Sequence, residues 1–282
     1  MSSNILREVH VRENSVYGSE ELLAAVEASP AAVAVHDKRA WVGLFAENGQ
    51  VNDPVGSTPH VGARAIGRFY GTFIAPNAIE FNVEHDVVAG MSVLRDLTVC
   101  TTMPTGVSVY IPMHLRYDLV AEGDQGSLKI EKLFAHWELN LMVLQLLALG
   151  AGGVVAAAAL GPQLVAKLGL SGALGFMKGL RGVGKAGKER VQDLAGAIAR
   201  GDEYSTRALV APGATFSPDG VAAVGLKEFM GMAQGFTVDK LIAAGRSVSA
   251  TVRLGERRGV GLFEFSDNSG AAGTLSSARL YI

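Results

Sequence analysis

The sequence predicts an α+β protein in which helices pack on a curved, mostly antiparallel sheet, with the arrangement occurring twice in tandem. Three observations lead there. Between about residues 19 and 140, helical patterns come first and a run of strand patterns follows, the order expected when a sheet curls around helices. The same order returns, weaker, from 189 to 282, as an echo of order and not of identity. Between them, 141–188 is poor in charge and rich in Gly, Ala and Leu, which reads as a hydrophobic helical linker.

The chain has 282 residues and is 49% hydrophobic, enough for two domains with apolar cores. Residues 1–18 read as a polar N-terminal extension without the apolar stretch of a secretory signal, so a cytoplasmic protein is expected. Net charge is −2, which does not suit nucleic acid as a bulk partner. The single cysteine, Cys100, excludes an intramolecular disulfide and fits a reducing compartment. It lies in an apolar strand without a basic neighbour, as a buried inert thiol would.

In order along the chain, Ser29-Pro30 reads as a helix start, a hydroxyl cap followed by proline at the first helical position. A helix is expected over Ala31–Ala46, interrupted near Asp37, with Trp41, Leu44 and Phe45 on its apolar face. Glu47-Asn48-Gly49 ends it. Gln50 to Asn52 starts a strand that Asp53-Pro54 breaks. Gly56–Gly62 is a loop and Ala63–Phe73 a helix. Strands are expected over Phe81–Val88, Ser92–Thr102, Val107–Leu119 and Ser127–Leu139, with turns at Gly90, Pro104-Thr105-Gly106 and Glu122-Gly123-Asp124.

In the third block, Arg190–Ala199, Thr206–Val210 and Leu226–Met232 read as helices. Ala214–Phe216, Val248–Val252, Val260–Phe265 and Leu275–Tyr281 read as strands. Leu141–Leu160 is twenty residues with one polar side chain, Gln145. Three readings stand open for it: buried connecting helices, an interfacial helix with Lys167, Lys178, Arg181 and Lys185 toward lipid headgroups across 141–185, and a membrane span.

One stretch carries chemistry. Phe45 to Ser57 contains Asn52-Asp53-Pro54-Val55-Gly56, followed by Gly62 and by Ala65-Ile66-Gly67-Arg68-Phe69-Tyr70. This resembles the steroid Δ-isomerases of the ketosteroid-isomerase-like, SnoaL/NTF2-like superfamily. Met113-His114-Leu115-Arg116-Tyr117 and Ala135-His136-Trp137-Glu138 extend the resemblance over about residues 29–140. It implies a cystatin-like cone and proton transfer alpha to a carbonyl on a bulky apolar, steroid- or polyketide-like substrate, without cofactor.

Under this resemblance Asp53 is the base, Trp137 positions or tunes it, and His114 or Tyr117 polarises the carbonyl. Val55, Phe69, Tyr70, Met113 and His136 line the ligand pocket. The sequence departs from the family at its oxyanion donors. The helix tyrosine position falls at Ser29, and no aspartate stands between Met113 and Arg116. A non-catalytic binding protein for apolar ligands, or a membrane-peripheral scaffold, is the alternative.

For Asp53 the plain reading is a turn residue capping backbone N–H groups, and for Trp137 a core tryptophan. His114 and His136 would ordinarily sit on the outer face of a strand. Ser217-Pro218 takes the slot of Asp53-Pro54 in the second copy, so that copy is expected to be catalytically silent. Arg95-Asp96 and Arg116 do not reproduce the spacing of the Asp-Arg-Asp relay in limonene-epoxide hydrolases. Gly182-Val183-Gly184-Lys185-Ala186-Gly187-Lys188 mimics a phosphate loop, but Glu189 replaces the magnesium-binding hydroxyl and no strand precedes it; a linker is expected. No His, Cys or carboxylate spacing suits a metal. Domains of this type pair through their sheets, so the tandem copy could mimic a dimer within one chain, or two chains could form a homodimer.

Overall fold

The computed structural model describes residues 17–123, 126–150, 166–266 and 273–282. The first half runs α1 (Ser19–Ala34), α2 (Lys38–Gly43), β1 (Phe45–Asn52), β2 (His60–Val61) and α3 (Gly62–Phe69). A π-helical turn over Tyr70–Ile74 extends α3, and β3 (Ala78–Ala89), β4 (Ser92–Thr102), β5 (Ser108–Glu122) and β6 (Ser127–His136) follow. Next come α4 (Leu139–Ala148) and the helix over 166–177, here α5. The second half runs α6 (Gly184–Ala199), α7 (Glu203–Leu209), β7 (Val210–Ser217), α8 (Leu226–Met232), β8 (Thr237–Ala244), β9 (Ser247–Leu254), β10 (Arg257–Phe265) and β11 (Leu275–Tyr281).

The protein is α+β, with helices on two curved sheets. The first sheet has the order β2-β1-β6-β5-β4-β3 and the second β7-β11-β10-β9-β8. In each, one pair is parallel, β1 with β6 and β7 with β11, and the remaining pairs are antiparallel. Apart from β2, the two orders are the same.

Three elements depart from the sequence expectation. Helix α1 begins at Ser19, not at Ser29-Pro30, and carries Pro30 inside it. Packing of Leu22, Val26 and Val33 into the core outweighs the missing hydrogen bond that proline imposes. The break at Asp37 is present, and its carboxylate caps α2 by accepting from Ala40 N–H at 2.8 Å, but the chain turns to strand at Phe45 instead of continuing helical to Ala46. Strand β8 had no counterpart in the sequence reading. It is bulged between Asp239 and Ile242, with Lys240 at φ 41°, and the bulge disrupts the period-two pattern by which a strand is read.

The stretch Leu141–Leu160, for which a membrane span is one of three readings, falls partly on 151–160, outside the described residues. Its described part, 141–150, lies mostly in α4, which has ten residues and is about 15 Å long, half of what a bilayer core requires. Among the described residues no helix is long and apolar enough to cross a membrane. The glycine-rich run at 182–188 opens α6 without a preceding strand. Val183 N–H donates to Gly245 O at 2.9 Å, Gly182 seats on the Gly245 backbone with no room for a Cβ, and Lys188 pairs with Glu138 at 2.6 Å.

The inner faces of the two sheets hold separate apolar cores. The outer faces pack on each other. Val87 and Leu94 of the first sheet meet Val260, Leu262 and Tyr281 of the second. Beside them lies a charge cluster. Asp96, fully buried, accepts from Lys240 Nζ at 2.8 Å, from Arg258 at 2.7 Å and from Thr251 Oγ1 at 2.7 Å. Glu84 shares both cations, at 2.7 and 2.9 Å.

Burial alone would raise the Asp96 pKa. Hydrogen bonds from His114, Lys240 and Thr251 win, and hold it well below the ordinary carboxylate range. A carboxylate stabilised in this way contributes fully above its unfolded value and loses its contribution as pH falls toward the lower folded value. Removing one partner of a buried ionic cluster costs about 3 kcal/mol or more. Asp96→Ala is therefore expected to lower urea-unfolding stability by roughly 3 kcal/mol at neutral pH. The gap from wild type should close as pH drops below about 4, and a gap independent of pH would contradict the charge cluster.

Candidate active site

The site starts from a strand pairing. β1 and β6 run parallel, with Asn52 opposite Phe134, so the residues that follow each strand emerge side by side. Asp53 follows β1 and Trp137 follows β6. The turn after β1 is pinned by Val55 N–H to Ala135 O at 2.9 Å and by Asn52 Nδ2 to Ser57 O at 3.0 Å. The Trp137 indole N–H then donates to Asp53 Oδ1 at 2.6 Å.

This pair borders a cavity of about 150 Å³. Its wall comprises Ser29 and Val33 of α1, Trp41, Phe69, Phe73 and Ile74. The sheet adds Phe81, Val99, Ile111, Met113, Leu115, Tyr117 and Leu133, and Met142 and Phe176 come from α4 and α5. The lining is largely apolar, with Asn77 and Thr101 adding polar side chains. Burial pushes the Asp53 carboxyl up to about 6, against the pull of the Trp137 hydrogen bond, which favours the carboxylate. The Tyr117 hydroxyl, also in the wall, is pushed up by burial and feels the Asp53 charge.

Alternation along β5 decides which residues reach the cavity. Val109, Ile111, Met113, Leu115 and Tyr117 belong to the inner core. His114 and Arg116 point the other way, because side chains alternate across a strand. His114 Nδ1 lies 2.8 Å from Ser249 Oγ and its Nε2 lies 3.3 Å from Thr251 Oγ1. Thr251 spends its single hydrogen on Asp96 and must accept from Nε2–H, so Ser249 donates to Nδ1. His136 lies beside Ser247 Oγ at 3.4 Å. Burial lowers the pKa of both histidines, that of His136 to about 3.

Of the residues singled out from sequence, Asp53, Trp137, Tyr117, Phe69 and Met113 come together around the cavity. His114 and His136, expected as oxyanion donor and pocket residue, stand on the opposite face of the sheet and do not reach it. Val55 lies on the turn outside the lining. Tyr70 is buried against Trp41, with ring centroids 5.4 Å apart, and its hydroxyl finds no partner among the described residues. Arg95 pairs with Asp86 at 2.8 Å, apart from Asp96. Cys100 is buried, and no metal-binding group of His, Cys, Asp or Glu occurs among the described residues.

Sequence reasoning missed Met142 and Phe176 as wall residues. Their helices carry apolar residues on inner and outer sides alike, so no periodicity marks an inner face. It also treated Ser29 only as an absent tyrosine. Ser29 is buried, accepts from Trp41 Nε1 at 3.0 Å and lies close enough to the Tyr117 hydroxyl to lower its pKa against the effect of burial.

A raised carboxyl pKa means the folded protein holds a proton that the unfolded chain has released. Asp53 therefore costs stability as pH rises from about 4 through 6. Asp53→Asn is expected to be more stable than wild type at pH 7 by up to about 2–3 kcal/mol, and equal to it near pH 4. Denaturant melts across that range test this; a variant less stable than wild type at pH 7 would contradict the desolvated carboxylate.

The family model described as "SnoaL-like domain" matches residues 26–125. Among solved structures, the chain is similar to Δ5-3-ketosteroid isomerase from Mycobacterium sp., at 26% identity over 42% of this chain and 94% of that one, with a TM-score of 0.38. It is similar to RV0760c of Mycobacterium tuberculosis, solved with estradiol-17beta-hemisuccinate, at 22% identity over 42% of this chain and 95% of that one (TM-score 0.38). A third likeness is to an LEH-like epoxide hydrolase of M. tuberculosis, at 19% identity over 50% of this chain and 96% of that one (TM-score 0.39). Residues 26–125, which carry Asp53, Tyr117 and most of the cavity wall, are a SnoaL-like domain of the NTF2-like fold.

Proposed function

We propose that the first domain is an isomerase of steroid Δ-isomerase type, moving a proton alpha to a carbonyl on a bulky apolar substrate. The observation that carries this is one carboxylate, Asp53, at an apolar cavity with its pKa raised to about 6. Such a group is ionised at neutral pH yet basic enough to take a proton from carbon. It removes the proton alpha to the carbonyl, the electrons move into a dienolate, and the same carboxyl returns the proton at the gamma carbon. No cofactor takes part.

The developing oxyanion needs a donor, and the cavity supports Tyr117 in that role. Trp41 N–H donates to the Ser29 oxygen. The Ser29 hydrogen is then available to the Tyr117 oxygen, leaving Tyr117 O–H for a ligand. Serine in place of the family's helix tyrosine thus serves to orient a strand tyrosine. Trp137 holds the Asp53 carboxylate in place and limits how far its pKa climbs.

A second reading rests on a specific observation: the two positions where the family's donors are expected hold Ser29 and no aspartate, and apart from Tyr117 the wall offers only the neutral Asn77 and Thr101. In that reading the cavity binds apolar ligands without turning them over. The second half, with Ser217 in the Asp53 slot hydrogen-bonded to Asp219 at 3.1 Å, serves as a silent NTF2-like copy that covers the first sheet. A homodimer would need another surface, since that face is taken.

Δ5-to-Δ4 ketosteroid isomerisation, followed by ultraviolet absorbance, tests the proposal. Asp53→Asn should lose about 10²–10⁴-fold in rate and Tyr117→Phe about 10²–10³-fold. The wild-type rate should fall as pH drops below about 6, where Asp53 takes up its proton. Steroid binding without turnover, in wild type as in both variants, would favour the binding protein.

A further inference from the structure

The helices that close the cavity have a second side. On α4, Met142 faces the cavity, whereas Leu141, Leu144 and Leu147 are exposed, Leu144 at 58%. On α5, Phe176 faces the cavity, whereas Leu170, Leu174 and Met177 are exposed, Leu170 at 66%. Single exposed leucines are ordinary; two neighbouring elements that each turn a row of them to solvent are not.

The charge around these rows has one sign. From Leu139 to Lys188 the sequence contains no Asp or Glu and five basic residues: Lys167, Lys178, Arg181, Lys185 and Lys188. Lys188 is held by Glu138 at 2.6 Å and Lys185 lies 3.5 Å from Glu189. Lys167, Lys178 and Arg181 are exposed on or just after α5. Apolar side chains with cations beside them and no acid between them match an anionic lipid surface, where acyl chains take the leucines and headgroups take the cations. A water-soluble protein partner would not require the one-signed charge.

We propose that the outer side of α4 and α5 docks on an anionic lipid bilayer, so that an apolar ligand passes between bilayer and cavity along the Met142 and Phe176 walls without crossing water. The proposal rests on reading the cavity as an apolar-ligand site. It assigns to the hydrophobic segment the delivery of the ligand as well as the closure of the site. Phe176 stacks on Phe73 with centroids 4.9 Å apart, and both rings line the cavity where α5 closes it.

Co-sedimentation of the full chain with vesicles tests it. Wild type is expected to sediment with phosphatidylcholine vesicles containing about one-third phosphatidylserine and to stay in solution with phosphatidylcholine alone. Lys178→Gln with Arg181→Gln should weaken binding roughly thirtyfold. Leu144→Gln with Leu174→Gln should weaken it at least about tenfold. All four positions lie outside the cavity wall, so turnover or binding of a soluble steroid should be unchanged in both variants; that readout separates failure of docking from failure of the cavity reading. Absence of wild type from the anionic vesicle pellet, or binding that neither pair of substitutions weakens, would overturn the proposal. So would a solution dimer dispersed by the leucine substitutions in a protein that ignores vesicles, which would assign the surface to a second copy of this chain.

Discussion

Strand β5 alternates between two environments, and neither side can exchange residues with the other. Its odd positions from Val109 to Leu119 fill the first core, and Tyr117 among them brings a hydroxyl to the cavity that Asp53 borders. Its even positions carry His114 to Ser249 and Asp96. A register slip of one residue would put an imidazole in the cavity and a tyrosine against the second sheet. The cavity chemistry and the packing of the two halves therefore hang on the same register. Pairing with β4 and β6, continuous from Ser92↔Asp118 to Thr102↔Ser108 on one side, fixes it.

Much of the first half was legible because its signals are local. Asp53-Pro54-Val55-Gly56 marks a strand end, and four strand patterns punctuated by Gly90, Gly106 and Gly123 give the sheet. The same period of two that marks β5 as a strand also separates Tyr117 from His114, so the mixed list of donors could have been sorted by parity alone. Which parity faces inward is harder, because His114 and Tyr117 are both buried. A residue buried against a second sheet looks, in sequence, like a residue buried in a pocket. Strand β8 was illegible for a different reason: Lys240 at the bulge places a charge where alternation calls for something else, and its justification, Asp96, is 144 residues away.

Burial raises the pKa of both key carboxylates, and their hydrogen bonds decide where each ends. Both are removed from water. Asp96 is surrounded by donors and stays ionised, strengthening the junction between sheets. Asp53 has one strong donor, the Trp137 indole, and is left short of solvation, with its pKa near 6. The difference lies in the hydrogen bonds each receives: Asp96 accepts from Lys240, Arg258 and Thr251, and Asp53 from Trp137. It separates a carboxylate locked in its charged form from one whose pKa is raised, within one half of the chain.

Joining the two sheets in one chain also frees them from a rule that binds symmetric assemblies. In a two-fold pair every surface must complement a copy of itself, so an acid at the centre would face its own image. Here Asp96, His114 and His136 on one sheet meet Lys240, Arg258, Ser247, Ser249 and Thr251 on the other. Acid opposes base with no self-complementarity required. Each half could then accumulate substitutions that a self-pairing surface would forbid, and covalent linkage keeps the partners together at any dilution.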